Sequence, residues 1–214
     1  MAVLTISREF GAGGRTLGKM VAEKMGYTLV DEDLVQKVAE RAKVSENWVK
    51  SIEREAGGSL LRFMSYLVSQ RYINRILDDS RGYIDENIYV NALYEIIGEL
   101  AKEGNCVIVG RGGQYILRDN PNTLHLLLTA KPEDRVRFMV QNYDLNREQA
   151  ENIIRIQGKR RRNLYRKFGA ENYDHPVLYH LVLNMSKLSM ERATKVACHL
   201  IEQGTGENGN SSVG

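Results

Sequence analysis

Glycine stands at positions 11, 13 and 14 of this chain, with Arg15 and Thr16 directly after them. That spacing suits phosphate. A glycine-rich turn ahead of a helix aims backbone N–H groups and the positive end of the helix dipole at an anion. Glycine allows close approach and left-handed backbone. The candidate phosphate-binding residues are Gly11, Ala12, Gly13, Gly14, Arg15 and Thr16. The pattern G-x-x-x-x-G-K-[ST] can be laid on in two registers. In one, Glu9 takes the first glycine position and Arg15 the lysine position. In the other, Arg8 takes the first glycine position, Gly14 the lysine position, and Thr16 ends the loop one residue late. The lysine is absent either way. Arginine is the natural substitute, since its planar fork pairs with two oxygens. The alternative is an ordinary glycine-rich turn between strand and helix.

Arg111 is the second candidate. It is flanked by Gly110, Gly112 and Gly113 directly after the apolar run NCVIV. Ligands of open α/β sheets collect at the carboxyl ends of strands, where an arginine makes a phosphate clamp. The alternative is a loop arginine bonded to backbone carbonyls. A third candidate is the basic stretch Arg155, Lys159, Arg160, Arg161, Arg162, Arg166 and Lys167, which no acid interrupts. Helical spacing puts Arg155, Lys159, Arg162 and Arg166 along one face. We rank a lid that closes on polyphosphate first, a solvated face second and a nucleic-acid contact third. Asp31, Glu32 and Asp33 end a short strand. Glu32 and Asp33 read first as a helix cap, whereas Asp31 suits ribose, magnesium or a base amine as readily as a helix N-terminus. His125, within an apolar strand, reads as a satisfied core or edge residue.

The elements that must position these groups alternate. Strands are expected at Val3–Ile6, Tyr27–Val30, Asn105–Val109, Thr123–Thr129 and Tyr179–Asn184. Helices are expected between them and after Ser189. A helical block spans 34–103, and its apolar run at Leu60–Leu77 suits a homodimer. Trp48 and Tyr66–Tyr72 offer surface for a substrate or second subunit. This order predicts an α/β fold with a five-stranded parallel sheet and helices on both faces. One domain is expected over 1–203, with a basic lid at 147–172 and a disordered tail at 204–214.

Length and composition agree with that. The 214 residues are 43% apolar and 27% charged, with a net charge of +3. Such a chain fills one substantial soluble domain. The small net charge argues against nucleic acid as the partner. Cys106 and Cys198 sit in apolar, periodic segments and read as buried thiols rather than a disulfide or metal pair. No signal peptide is expected, because Arg8 and Glu9 interrupt the first apolar run, and no stretch reaches membrane-spanning length. A cytoplasmic location is expected.

The chain resembles the cytidylate kinase-like proteins, relatives of bacterial cytidylate kinase. The resemblance runs from Ala2 to about Glu202. It rests on TISREFGAGGRTLG, Val30-Asp31, VIVGRGGQYIL, KRRRNLY and YHLVLNMSKLSMERA. It implies a P-loop kinase fold with a helical lid, and transfer of the γ-phosphoryl group from ATP with Mg²⁺ to a nucleoside monophosphate such as CMP. It implies that Gly11 to Thr16 hold donor phosphates and that Thr16 binds Mg²⁺ through its hydroxyl. Asp31 and Arg111 would meet the acceptor. Arg161, with Lys159 and Arg162, would be the lid cations, and Arg15, Arg111 and Arg161 would stabilise the transferred group. No general base is expected, because a loose transition state needs none. The chain departs from the family at the missing lysine, at Gly158 for a lid acid, and at His180 and Met185 near the last strand. The missing lysine leaves two alternatives open beside the nucleotide kinase: a non-catalytic nucleotide sensor, and a kinase of a non-nucleotide acceptor.

Overall fold

The computed structural model describes residues 2–30, 86–169 and 172–204. In chain order these form β1 (Val3–Arg8), α1 (Gly14–Met25), β2 (Thr28–Val30), α2 (Glu86–Glu103), β3 (Cys106–Val109), α3 (Gly113–Ile116), β4 (Thr123–Thr129), α4 (Pro132–Tyr143), α5 (Arg147–Lys167), β5 (Leu181–Asn184) and α6 (Met190–Gly204). A 3-10 turn at Pro176–Leu178 precedes β5. The five strands make one parallel sheet in the order β2–β3–β1–β4–β5. The α/β architecture expected from the sequence is therefore the one observed.

The central strands are near-continuous apolar runs because helices cover both sheet faces. Alternation then sorts their side chains. Leu4, Ile6, Val107, Val109, Leu126 and Leu128 pack with Leu17 and Val21 of α1 and with Ala193, Ala197 and Ile201 of α6. Val3, Cys106 and Ile108 point the other way, to Leu93 and Ile97 of α2 and to Leu164 and Tyr165 of α5. Each fully buried leucine contributes roughly 1.5–3 kcal/mol. A third cluster joins Val136 and Met139 of α4 to Ala150, Ile153 and Ile156 of α5. The basic helix is thus anchored at both ends, on α4 near its start and on the sheet near its finish.

The helix boundaries follow local chemistry. Gly26 closes α1 in a left-handed conformation, its N–H bonded to the Ala22 carbonyl. Asn146 opens α5 through a reciprocal box: its side chain accepts from the Gln149 N–H at 2.9 Å, and the Gln149 side chain accepts from the Asn146 N–H at 2.9 Å. Pro132 stands in the first turn of α4.

His125 is more constrained than a generic strand histidine. Its Nδ1 lies 2.7 Å from the Thr5 hydroxyl, whereas its buried Nε2 has no hydrogen-bond partner. Burial, with the nearby His180, lowers its pKa to about 4. Cys106 and Cys198 are free and buried. The expectations for Asp31, Glu32, Asp33, Trp48, Leu60–Leu77, Tyr66–Tyr72 and the tail beyond Gly204 lie outside the described residues, whereas Gly204, the first residue of the expected tail, is the last residue of α6.

Candidate phosphate-transfer site

The glycine loop leaves β1 at Arg8 and enters α1 at Gly14. Its outer side is tied down. The Glu9 N–H donates to the Leu128 carbonyl at 3.0 Å, and the Glu9 carboxylate accepts from the Ala130 N–H at 2.8 Å. Arg135 Nη1 donates to the Phe10 carbonyl at 3.4 Å. Gly13 caps α1 at φ 82, and the first helical bond is Leu17 N–H to the Gly13 carbonyl at 2.9 Å. The N–H groups of Gly14, Arg15 and Thr16 therefore have no carbonyl one turn back within the helix. Together with the dipole of a 12-residue helix they make an arrangement that suits an anion.

A second loop lies beside the first. The Gly110 N–H donates to the Ile6 carbonyl at 2.9 Å, which fixes the end of β3 against β1. Arg111 then sits at φ 56, between Gly110 at φ 82 and Gly112 at φ 74. A left-handed arginine costs on the order of 1 kcal/mol. Strain of that kind at a strand end is a mark of a working residue.

The third wall is α5, and its two sides differ. Arg155, Lys159, Arg162 and Arg166 face solvent. Gln157, Arg160, Arg161, Leu164 and Tyr165 face inward and, with Arg8, Phe10 and Arg111, line a cleft of about 110 Å³. That is less than the roughly 300–1,000 Å³ that takes a whole drug-sized ligand. It fits the phosphate end of one. Arg161 is held by several bonds: Nη1 donates to Asp174 Oδ2 at 2.6 Å, Nη2 bonds Asp174 Oδ1, and Nη2 also donates to the Ser7 hydroxyl at 2.9 Å. Its guanidinium lies over the rings of Tyr165, at 4.8 Å, and Tyr173, at 5.3 Å. Burial works against the Arg161 charge, but Tyr165 and Asp174 outweigh it and hold the pKa above the ordinary arginine value. Tyr165 in turn lies 3.1 Å from the Ser7 hydroxyl. Burial would raise the tyrosine pKa, yet Arg161 and the Ser7 bond bring it below its usual value.

The sequence model of the cytidylate kinase-like family matches residues 3–187. The chain belongs to this family. It is 24% identical over 201 residues to a cytidylate kinase of Archaeoglobus fulgidus, covering 93% of this chain and 94% of that one. A crystal structure of an uncharacterized protein from Eubacterium ventriosum superposes with a TM-score of 0.63 at 22% identity, over 94% of this chain and 98% of that one. The fold is that of the P-loop kinases, and cytidylate kinase-like proteins are kinase-like nucleotide-binding phosphotransferases.

Within this cytidylate kinase-like chain, Arg111 and Arg161 meet at the cleft, while Gly11 to Thr16 form its neighbouring loop and first helical turn. Arg15 and Thr16 are half-buried on that turn, and Arg15 is not among the residues lining the cleft. Arg155, Lys159 and Arg162 stand outside it. Sequence reasoning passed over Arg8, Ser7, Tyr165 and Asp174, and placed Arg160 only within the basic stretch. Arg8 and Arg160 had a signal. Arg8 ends a strand beside the one that leads to Arg111, and Arg160 shares a helical face with Ile153, Ile156 and Leu164. Asp174 reaches Arg161 through a turn that no periodicity announces.

Among the described residues no group of three or more His, Cys, Asp or Glu is placed to hold a metal ion. Mg²⁺ does not require one. It keeps several waters and takes one or two protein ligands plus substrate phosphates. The Thr16 hydroxyl, on the first turn of α1, fits that role. Among the described residues no helix is long and apolar enough to cross a membrane.

Proposed function

We propose that the protein binds ATP with Mg²⁺ and transfers the γ-phosphoryl group to a nucleoside monophosphate such as CMP. The observation that supports this reading is the convergence of Arg8, Arg111, Arg160 and Arg161 on one cleft beside a glycine loop. Guanidinium forks grouped on one cleft wall suit the oxygens of a polyphosphate. In the proposed reaction a phosphate oxygen of the acceptor attacks the γ-phosphorus in line. The bond from that phosphorus to the β–γ bridging oxygen breaks, and ADP leaves. Gly11 to Thr16 hold the donor phosphates. Thr16 is the ligand for Mg²⁺, which would neutralise phosphate charge when bound. Arg15 flanks the donor, Asp31 and Arg111 take the acceptor, and Arg155, Lys159 and Arg162 form the outer face of a closing segment. Asp174 offsets much of the charge of Arg161, so Arg161 holds its place in the wall beside the guanidinium groups of Arg8, Arg111 and Arg160.

The missing lysine favours a second reading, a nucleotide sensor without turnover. ADP release from ATP and Mg²⁺, followed across a panel of nucleoside monophosphates, separates the two. Turnover with one acceptor that disappears in Arg111→Ala supports the kinase. Silence with every acceptor, while ATP still raises the melting temperature, transfers the reading to the sensor.

A further inference from the structure

The family pattern sends a lysine from the start of the helix to the β- and γ-phosphates. Here the left-handed cap is Gly13 and the residue after it is Gly14. A Cβ placed on Gly14 would lie 2.7 Å from Cγ, 3.0 Å from Cδ and 3.1 Å from Cβ of Arg8. The stem of Arg8 thus fills the volume in which any side chain at position 14 would begin. The head of Arg8 lies against the second loop. A Cβ on Gly110 would overlap Arg8 Nη1 and lie 3.2 Å from Cζ. Arg8 therefore runs from the start of α1 to the end of β3, along a channel that two glycines leave open. Its guanidinium is part of the cleft wall with Arg111, Arg160 and Arg161.

From this geometry we infer that Arg8 is the donor-phosphate cation of the site and replaces the absent loop lysine from the strand side. The inference rests on the reading that the cleft takes a polyphosphate. The two arrangements exclude each other. A lysine at position 14 would drive Arg8 out of its rotamer, and Arg8 in place forbids a side chain there. Glycine at 14 is then no loss of function but the condition for Arg8 to lie where it does. The fork of arginine grips two oxygens where a lysine offers a point charge.

The test measures binding and reads no turnover, so failure of the kinase reading leaves it intact. Calorimetry on the full chain compares ATP with Mg²⁺ and inorganic tripolyphosphate, which carries no base. Arg8→Met keeps the stem packed on Gly14 and removes the charge. It is expected to weaken both probes about 10- to 100-fold, the scale of a lost charge-assisted contact. Gly14→Lys alone is expected to bind more weakly than the parent chain. The double variant Arg8→Gly/Gly14→Lys restores the lysine pattern and is expected to recover affinity above either single variant. Circular dichroism on each variant confirms that the fold is kept. Unchanged affinity of Arg8→Met for both probes overturns the inference. So does a double variant no tighter than Arg8→Met, because exclusive occupancy would then be wrong.

Discussion

Two strand–glycine–helix units stand side by side at the carboxyl edge of the sheet, and they differ in the groups they present there. The first joins β1 to α1 and ends in Gly13 at φ 82; the second joins β3 to α3 and ends in Gly112 at φ 74. The helix that follows has 12 residues in the first and four in the second. A long helix aligns many peptide dipoles and presents free N–H groups, whereas a single turn adds little of either. The first loop therefore works through its backbone. The second has only the side chain of Arg111 to offer, and its glycines serve packing. Gly112 carries the ring of Phe168, and Gly110 carries the head of Arg8. Similar glycine content, packed on both sides by protein atoms, hides one loop that leads into a long helix and another that holds one arginine in a left-handed conformation.

The largest effect expected from that difference is on stability. Gly112→Ala combines a left-handed φ with three Phe168 ring atoms at 2.5, 2.7 and 3.1 Å. Phe168 is itself stacked on Tyr115 at 5.8 Å, so it has little room to yield. A loss of about 3 kcal/mol is expected, read from the denaturation midpoint. Gly13→Ala meets the terminal methyl of Met190 first, with Phe138 ring atoms farther off at 3.3 and 3.4 Å. Methionine swings aside at low cost, so about 1–2 kcal/mol is expected there. Equal losses at the two positions would erase the distinction between a cap packed on a side chain that can yield and a cap packed on a ring that cannot.

Much of this arrangement is legible in the sequence, for physical reasons that name its limits. Apolar runs such as the β-branched CVIV and the leucine-rich TLHLLLT mark strands buried on both faces, and glycines such as Gly26 and Gly104 mark helix ends. The sheet and the first loop follow. The charge of α5 does not reveal its orientation in the same way. Arg155, Lys159, Arg162 and Arg166 share a helical face, but Ile153, Ile156 and Leu164 decide which face turns inward. That turn carries Arg160 and Arg161 into the cleft and leaves the more regular cation stripe in water. Arg8 escaped notice because its role depends on two glycines, one about a hundred residues away, that leave space rather than make contact. Asp174 neutralises Arg161 through tertiary geometry alone.

The next prediction concerns ligand and separates the loops directly. Arg111→Ala is expected to weaken acceptor binding about 30- to 100-fold, near 2–3 kcal/mol, while ATP affinity shifts by only a few fold. Acceptor titrations in the presence of a non-hydrolysable ATP analogue read the first quantity, and ATP titrations alone read the second. The asymmetry is expected because the donor loop keeps its backbone N–H groups whatever stands at 111. Parallel loss of both affinities would mean that the two loops share one ligand. Acceptor binding left unchanged would remove Arg111 from the clamp.

The smallest effect tests why the second loop holds its arginine in a left-handed conformation. Arg111→Gly and Arg111→Ala both remove the guanidinium, so they should lose acceptor binding equally. They differ in backbone. Alanine keeps the Cβ that strains φ 56, and glycine does not. Glycine also has the more disordered unfolded chain, which offsets part of the relief. The net expectation is that Arg111→Gly is more stable than Arg111→Ala by about 1 kcal/mol, roughly 2–4 °C in melting temperature for a chain of this size. Such a gap means the neighbours of Arg111 impose its backbone and so aim its side chain before any ligand arrives. Equal stability means the loop relaxes once the arginine is gone. The clamp would then be shaped by its own guanidinium contacts, and the contrast between a first loop that offers backbone N–H groups and a second that aims one side chain would fall.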